Sequence, residues 1–328
     1  MDEDLSVGQV VVTSNQLNCV CYNSLIDESA LCYSDGEVVI DSENDSLSFF
    51  CEKGTCAQCC AFVTNDQGII LLLGIESSLA VYDRTRSREE SSQSDLLKTY
   101  PTPNRSTIMS ITECNGIVII GCYDGSVLTA KVDVICNGIE FYTQLKSEPS
   151  MKHSAILKVS CVKSKNNSNC IIYALRANGI LSMWSGNSIL NVGCPTNYSL
   201  CDNPLDMFAF EHDQLTGVVC CGQGFVKIVV HNGAGINIVQ VHTPPGEGAI
   251  TLICPYLVVH PETQALSVLC MSTIGSIYSA KVSVNASAQN HVLKNNGAMF
   301  DTFAVGCYFS NSSQKLIFYS KSNLVYEL

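Results

Sequence analysis

The stretch Ile172-Tyr-Ala-Leu-Arg-Ala-Asn-Gly179-Ile-Leu-Ser-Met-Trp184 reads as two apolar runs joined by a tight turn. Asn-Gly suits a two-residue hairpin turn because both central residues can take positive φ. The same unit recurs at 30–40, 70–83, 119–129, 219–229, 268–278 and 316–326. Its turn residues fall at 36, 77, 125, 179, 224, 275 and 322, giving intervals of 41, 48, 54, 45, 51 and 47. A period of this size marks a repeat architecture, and each unit predicts a β-hairpin apolar enough to be covered on both faces.

Two further strand-like runs flank each hairpin. Leu17–Tyr22, Ala57–Val63, Thr107–Thr112, Ile156–Val162, Leu205–Glu211, Thr251–Val259 and Thr302–Phe309 precede the seven units. Leu47–Cys51, Asp95–Tyr100, Ile139–Gln144, Ile189–Gly193, Ile236–Val241 and His291–Lys294 follow the first six. The seventh trailing strand is supplied by Gln9–Thr13 at the other end of the chain. The expectation is an all-β, seven-bladed ring of four-stranded sheets, leaving only short protected edges. Its blades span 16–52, 53–101, 102–145, 152–194, 203–242, 248–295, and 299–328 with 8–15, within a single domain over 1–328.

The chain resembles the WD-repeat family of seven-bladed β-propellers over nearly its whole length. The fourth unit carries the closest likeness, with His153, Asn178-Gly179 and then Trp184 five residues past the glycine. Asp83 after Tyr82 stands at the family's Trp-Asp position in the second unit, whereas Asp41, Ala130, Val229, Ala280 and Glu327 replace the Trp elsewhere. The resemblance implies that His153 links a turn to the Ser182 hydroxyl and to Trp184. Tyr82-Asp83-Arg84-Thr85 also comes near the Trp-Asp-x-Arg signature of ubiquitin-ligase substrate receptors, with the Arg displaced by one residue.

Composition narrows the function classes. Only 15% of residues are charged against 46% apolar, and 18 Lys+Arg against 30 Asp+Glu leave a net charge of −12. An acidic field repels phosphate, so no direct nucleic-acid binding is expected. The longest apolar run, Ile69–Leu73, is too short to cross a bilayer, and Met1-Asp-Glu-Asp4 lacks the basic flank of a signal peptide. Nineteen scattered cysteines read as reduced thiols in a cytoplasmic or nuclear protein.

Few constellations suggest chemistry. Cys51-x4-Cys56-x2-Cys59-Cys60 is the densest cysteine group, but it lacks a second matching pair and falls on strands, where cysteine packs as a small hydrophobe. No metal and no cofactor are expected. There is no Gly-x-Ser-x-Gly elbow, P-loop or His-Glu-x-x-His, and no catalytic residue is assigned. Asp35, Glu76 and Asp124 near the turns could meet as acid and base in a propeller hydrolase, yet Asp at such positions is first a turn residue.

Contacts with partners are a better prospect. The polar insertion 84–95 offers Arg84, Arg86 and Ser87 as a docking or modification loop. Longer links over the third to fifth blades make Tyr123, Arg176, Tyr198 and Phe225 candidate contact residues, since Tyr and Arg give large, directional contacts. The reading is a non-catalytic interaction scaffold, a monomeric ring within a larger intracellular hetero-oligomer. A ubiquitin-ligase substrate receptor and a propeller hydrolase or metal-dependent enzyme are the alternatives.

Overall fold

The computed structural model describes residues 15–42, 46–65, 68–87, 97–133, 138–148, 153–163, 170–200, 203–212, 215–232, 235–245, 250–260, 265–283, 291–299, 304–310, 312–322 and 325–327. Among them the strands form seven sheets. The first holds β1 (Leu17–Asn23), β2 (Glu28–Tyr33), β3 (Glu37–Ser42) and β4 (Ser46–Phe50), in that order. The second holds β5 (Cys59–Asn65), β6 (Gly68–Ile75), β7 (Ser78–Asp83) and, after a helical turn α1 (Arg84–Ser87), β8 (Leu97–Pro101). The third is built from β9 (Ile108–Cys114), β10 (Ile117–Cys122), β11 (Val127–Asp133) and β12 (Gly138–Gln144).

The fourth sheet departs from the expected pattern. Its inner strands are β13 (Ile156–Lys163), β14 (Cys170–Arg176) and β15 (Ile180–Ser188), but the run expected as its outer strand, Ile189–Gly193, supplies only β16 (Asn191–Val192). The main outer strand is β17 (Thr196–Ser199), pairing Ile180 with Ser199 and Met183 with Thr196. The nine-residue β15 is long enough to pair β17 along its first half and β16 along its second. Cys194-Pro195 lies between those two strands, where the missing proline N–H interrupts any ladder.

The fifth sheet comprises β18 (Pro204–His212), β19 (Leu215–Gly222), β20 (Phe225–Asn232) and β21 (Gly235–His242). The sixth begins with β22 (Leu252–His260), β23 (Ala265–Ser272) and β24 (Ser276–Ser283). The run His291–Lys294, expected as its outer strand, instead contributes β25 (His291–Val292), which pairs in parallel with β21 of the fifth sheet. Leu293 is the cause: its side chain is buried, and its N–H donates to the His242 carbonyl at 2.8 Å. The sixth sheet is completed by β26 (Lys294–Met299). The seventh shows β27 (Ala304–Ser310), β28 (Lys315–Ser320) and β29 (Val325–Glu327), and the expected closing strand Gln9–Thr13 lies outside the described residues.

The chain divides into two compact units, Met1–Gln144 with Val305–Leu328, and Leu145–Ala304. In the first unit the run Ile70–Leu73 is wholly buried. Strand alternation sends Leu71 and Leu73 into a core with Ala30, Val38, Ile40 and Tyr82, and Ile70 and Leu72 into a core with Ile108, Val118 and Ile120. That double coverage accounts for the unbroken apolar run, each such side chain contributing about 1.5–3 kcal/mol. Phe49 stacks on Tyr82 at 3.9 Å, and Tyr22 on Tyr308 at 4.1 Å. In the second unit, Tyr173, Leu175 and Leu181 pack with Val218, Cys220 and Val229, while Val219, Val226 and Ile228 pack with Leu252, Val268 and Tyr278. No helix among the described residues is long and apolar enough to cross a membrane.

The turns differ in kind from the sequence expectation. In the repeat's Asp35-Gly36, Asp124-Gly125 and Asn178-Gly179 turns only the glycine has positive φ, at 91°, 86° and 82°. Their N–H groups donate to the carbonyl three residues back, at Tyr33, Cys122 and Arg176. This is a type I turn followed by a left-handed glycine, the three-residue hairpin loop. Gly36 is doubly constrained, because a Cβ there would lie 2.5 Å from the Thr55 carbonyl oxygen. Gly36→Ala should therefore cost about 1–3 kcal/mol in denaturant unfolding; an unchanged midpoint would show that the link around Thr55 gives way freely.

Candidate functional site

The hairpin turns and the links between sheets are tied to one another by backbone hydrogen bonds. In the first unit, Ser34 N–H donates to Gln16 at 2.8 Å and Leu17 N–H to Lys321 at 3.1 Å. Ile108 N–H donates to Glu76 at 2.6 Å and Tyr123 N–H to Thr107 at 2.9 Å. In the second unit, Gln223 N–H donates to Asn203, Gly224 N–H to Ile250 at 2.7 Å, and Thr273 N–H to Thr251 at 3.0 Å. Leading strands therefore begin against their own turn and, at Leu17, Ile108 and Ile250, also against a turn of the neighbouring sheet. Side chains presented here stand on backbone that is already ordered, which lowers the entropic cost of binding.

Tyr123 stands out from this framework, 64% exposed at the tip of the third sheet's turn. Beside it, the Asp124 carboxylate accepts from Ser126 N–H at 3.0 Å, Ser126 Oγ at 2.7 Å and Asn104 Nδ2 at 3.1 Å. Burial alone would raise this carboxyl's pKa, but these hydrogen bonds, with one from Ser106, hold it below the usual value. Asp124 braces its turn as a committed anion. The Asp35 carboxylate also braces its turn, accepting from Glu37 N–H at 3.1 Å and from Asn15 Nδ2. Glu76 is exposed on a positive-φ backbone at 49°.

Several expected contact residues turn inward. Phe225 is 5% exposed and belongs to the core shared by the fourth and fifth sheets. Arg176 is fully buried; its Nε donates to Ser182 Oγ at 2.8 Å, and that hydroxyl donates to Asn197 Oδ1 at 2.7 Å. Burial pulls the Arg176 guanidinium pKa down. Tyr198, on β17, is half-buried beside the same core, and burial pushes its phenol up.

Arg84 is also buried, forming a bidentate ion pair with Glu28, Nε to Oε2 at 3.1 Å and Nη2 to Oε1 at 2.9 Å. Arg86 and Ser87 lie on α1, with their side chains and the rest of the 84–95 insertion from 88 onward outside the described residues.

The link implied through His153 is not the one found. His153 is exposed on a positive-φ backbone at 78°. Ser182 is engaged by Arg176 and Asn197, and the Trp184 indole N–H goes to the Lys146 carbonyl at 2.7 Å. Trp184 itself is fully buried, and Asp83 is buried at the end of β7.

Of the exposed apolar residues that the sequence reading passed over, two flank the turns and links of the fifth and sixth sheets. Ile274 is 68% exposed at the sixth sheet's turn tip, and Leu205 is 40% exposed at a bulge between Pro204 and Asp206. A signal for Ile274 was present: Asp35, Asp124, Asn178 and Gln223 hold the equivalent position before glycine, so an isoleucine there is out of character. The hydrogen-bonded path from Asn203 through Gln223, Gly224 and Ile250 to Thr273 runs between Leu205 and Ile274.

The Cys51–Cys60 segment does not converge as a four-thiol group. Cys51 is buried, and burial pushes its thiol up to about 11. Cys60 instead meets Cys19 and Cys32 of the first sheet, outside that segment.

No family model matches this sequence. No curated protein matches it either. Solved structures do match it along almost its whole length. The BBS1 N-terminal domain in complex with ARL6 is similar with a TM-score of 0.64 at 11% identity, covering 99% of this chain and 96% of that one. A chain of the mitotic checkpoint complex gives 0.68 at 11% identity, covering 99% and 93%. The Pan2 WD40 domain of Neurospora crassa gives 0.62 at 9% identity, covering 96% and 89%. The fold is that of a β-propeller. The likeness in sequence is low, so it concerns the propeller's architecture, and the propeller's chemistry rests on its own residues.

Proposed function

We propose that the protein is a non-catalytic interaction platform, a subunit of a larger multiprotein assembly in the cytoplasm or nucleus. The observation that carries this reading is the exposure of Ile274, 68% open to solvent on a turn held by backbone hydrogen bonds. A large apolar side chain on a rigid tip suits an anchor that inserts into a partner's pocket. Leu205 and, in the other unit, Tyr123 extend the set. Two structural neighbours, the BBS1 domain with ARL6 and the mitotic checkpoint chain, occur in complexes with other proteins. The described cysteines include none in a disulfide, in keeping with a reducing compartment.

The alternatives draw less support. As a receptor signature, Arg84 would have to face an adaptor, and its guanidinium is spent on Glu28 in the interior. As an acid–base pair, Asp35 and Asp124 would have to be available, and each is bound to its own turn. Affinity purification of tagged protein from its native cells tests the platform reading. A fixed, stoichiometric set of proteins should be recovered with the wild type and depleted at least about tenfold with Ile274→Asp, the size of loss expected for a binding anchor. Recovery of the chain alone, or equal recovery with Ile274→Asp and Tyr123→Ala, would overturn it.

A further inference from the structure

Three thiols meet where the first sheet faces the second. Cys19 on β1 and Cys32 on β2 are direct cross-strand partners, so their side chains project from the same face of the sheet. Strand β5 packs against β1 and brings Cys60 to that face. The three Sγ atoms all lie within 4.8 Å of one another. Cys32 is 1% exposed and Cys60 8%, and their neighbours in the core are Ala30, Ala57, Leu71 and Leu73. Cys19 Sγ also reaches the Ala57 carbonyl at 3.8 Å.

Three sulfurs converging in a dry, apolar setting form a soft donor set with no competing hard ligand. Sulfurs bound at about 2.3 Å around one ion in a plane stand about 4.0 Å apart, and in a tetrahedron about 3.8 Å. The observed spacing closes to the planar arrangement with a side-chain shift of under about 1 Å. Structural zinc sites use four closed ligands, whereas copper(I) takes soft sulfur readily.

We propose that Cys19, Cys32 and Cys60 form a three-sulfur site for a soft, thiophilic cation, copper(I). Each sulfur that coordinates as thiolate releases one proton to solvent, and the single positive charge of copper(I) offsets one of the negative charges left behind. Without the cation, thiol–thiol hydrogen bonding and burial hold the Cys32 thiol well above its ordinary value. No change of oxidation state is involved, since the ion enters and remains as copper(I).

The test uses the full chain, reduced, stripped with a chelator and titrated anaerobically with copper(I) against a chromophoric copper(I) chelator. One equivalent should withstand the competitor, and X-ray absorption should show three sulfur neighbours. Cys32→Ala and Cys19→Ala should each lose that equivalent, while Cys194→Ser, at an exposed link, should keep it. Circular dichroism melts report whether each variant folds; Cys19, the least enclosed of the three, decides the matter if Cys32→Ala does not. The proposal is overturned if the wild type retains no equivalent or if both alanine variants retain it. A shell of two or four sulfurs, or zinc(II) held in preference to copper(I), overturns it as well.

Discussion

Trp184→Ala is expected to remove about 3–5 kcal/mol of stability, the cost of deleting a large buried aromatic. Trp184 is fully enclosed and lies opposite Ile172 in the central pair of the fourth sheet. Two losses combine in the substitution. The core around the ring is left with a cavity that rigid strands on either side cannot close. The Lys146 carbonyl also loses the indole N–H that reaches it at 2.7 Å, and with it the tie from the incoming link to the sheet. Trp184→Phe separates the two, keeping most of the volume while giving up the hydrogen bond, and should cost about 1–2 kcal/mol beyond the volume change. Because Trp184 is the only tryptophan in the chain, unfolding must be followed by circular dichroism rather than by its fluorescence. A melting temperature unchanged in Trp184→Ala would refute the packing described.

The buried ion pair should yield an effect of similar size with the opposite lesson. Glu28 opens β2 in the first sheet and Arg84 follows β7 in the second, with side chains 1% and 3% exposed. Either Glu28→Ala or Arg84→Ala leaves the other charge stranded in the interior, at a cost of about 3–5 kcal/mol. The double variant Glu28→Leu/Arg84→Met, which removes both charges and keeps the bulk, should recover most of that loss or exceed the wild type. Single variants that cost under about 1 kcal/mol in urea unfolding would mean that water reaches the pair, as at an exposed salt bridge.

Arg84 also shows where sequence reasoning stops. An arginine among serines and acidic residues after a strand has the composition of a mobile loop. Nothing local reveals a carboxylate 56 positions earlier in an adjacent sheet. The repeat was legible because it depends on local events: an apolar run, a turn with glycine, and a second apolar run. The β16–β17 arrangement and the return of β25 to the fifth sheet were not, since both depend on which neighbouring edge a short segment finds. The cysteine cluster was hidden for the same reason. Cys19, Cys32 and Cys60 have no motif spacing, and they meet only because two sheets stack. Phe225 and Arg176 sit beside turns, where exposure is a fair expectation, yet both point into the core. Ile274 was the converse, an apolar residue at a tip that local rules reserve for polar ones.

The parallel pairing of β25 with β21 bears on how the protein is made. Val241 and His242 wait for His291 and Val292, residues that leave the ribosome well after the fifth sheet could have assembled. Until then β21 presents a longer open edge, with Ile236 and Ile238 exposed along it, and such edges recruit foreign strands. Translation that stalls before residue 291 would therefore leave a nascent chain whose safest course is a chaperone rather than a neighbour.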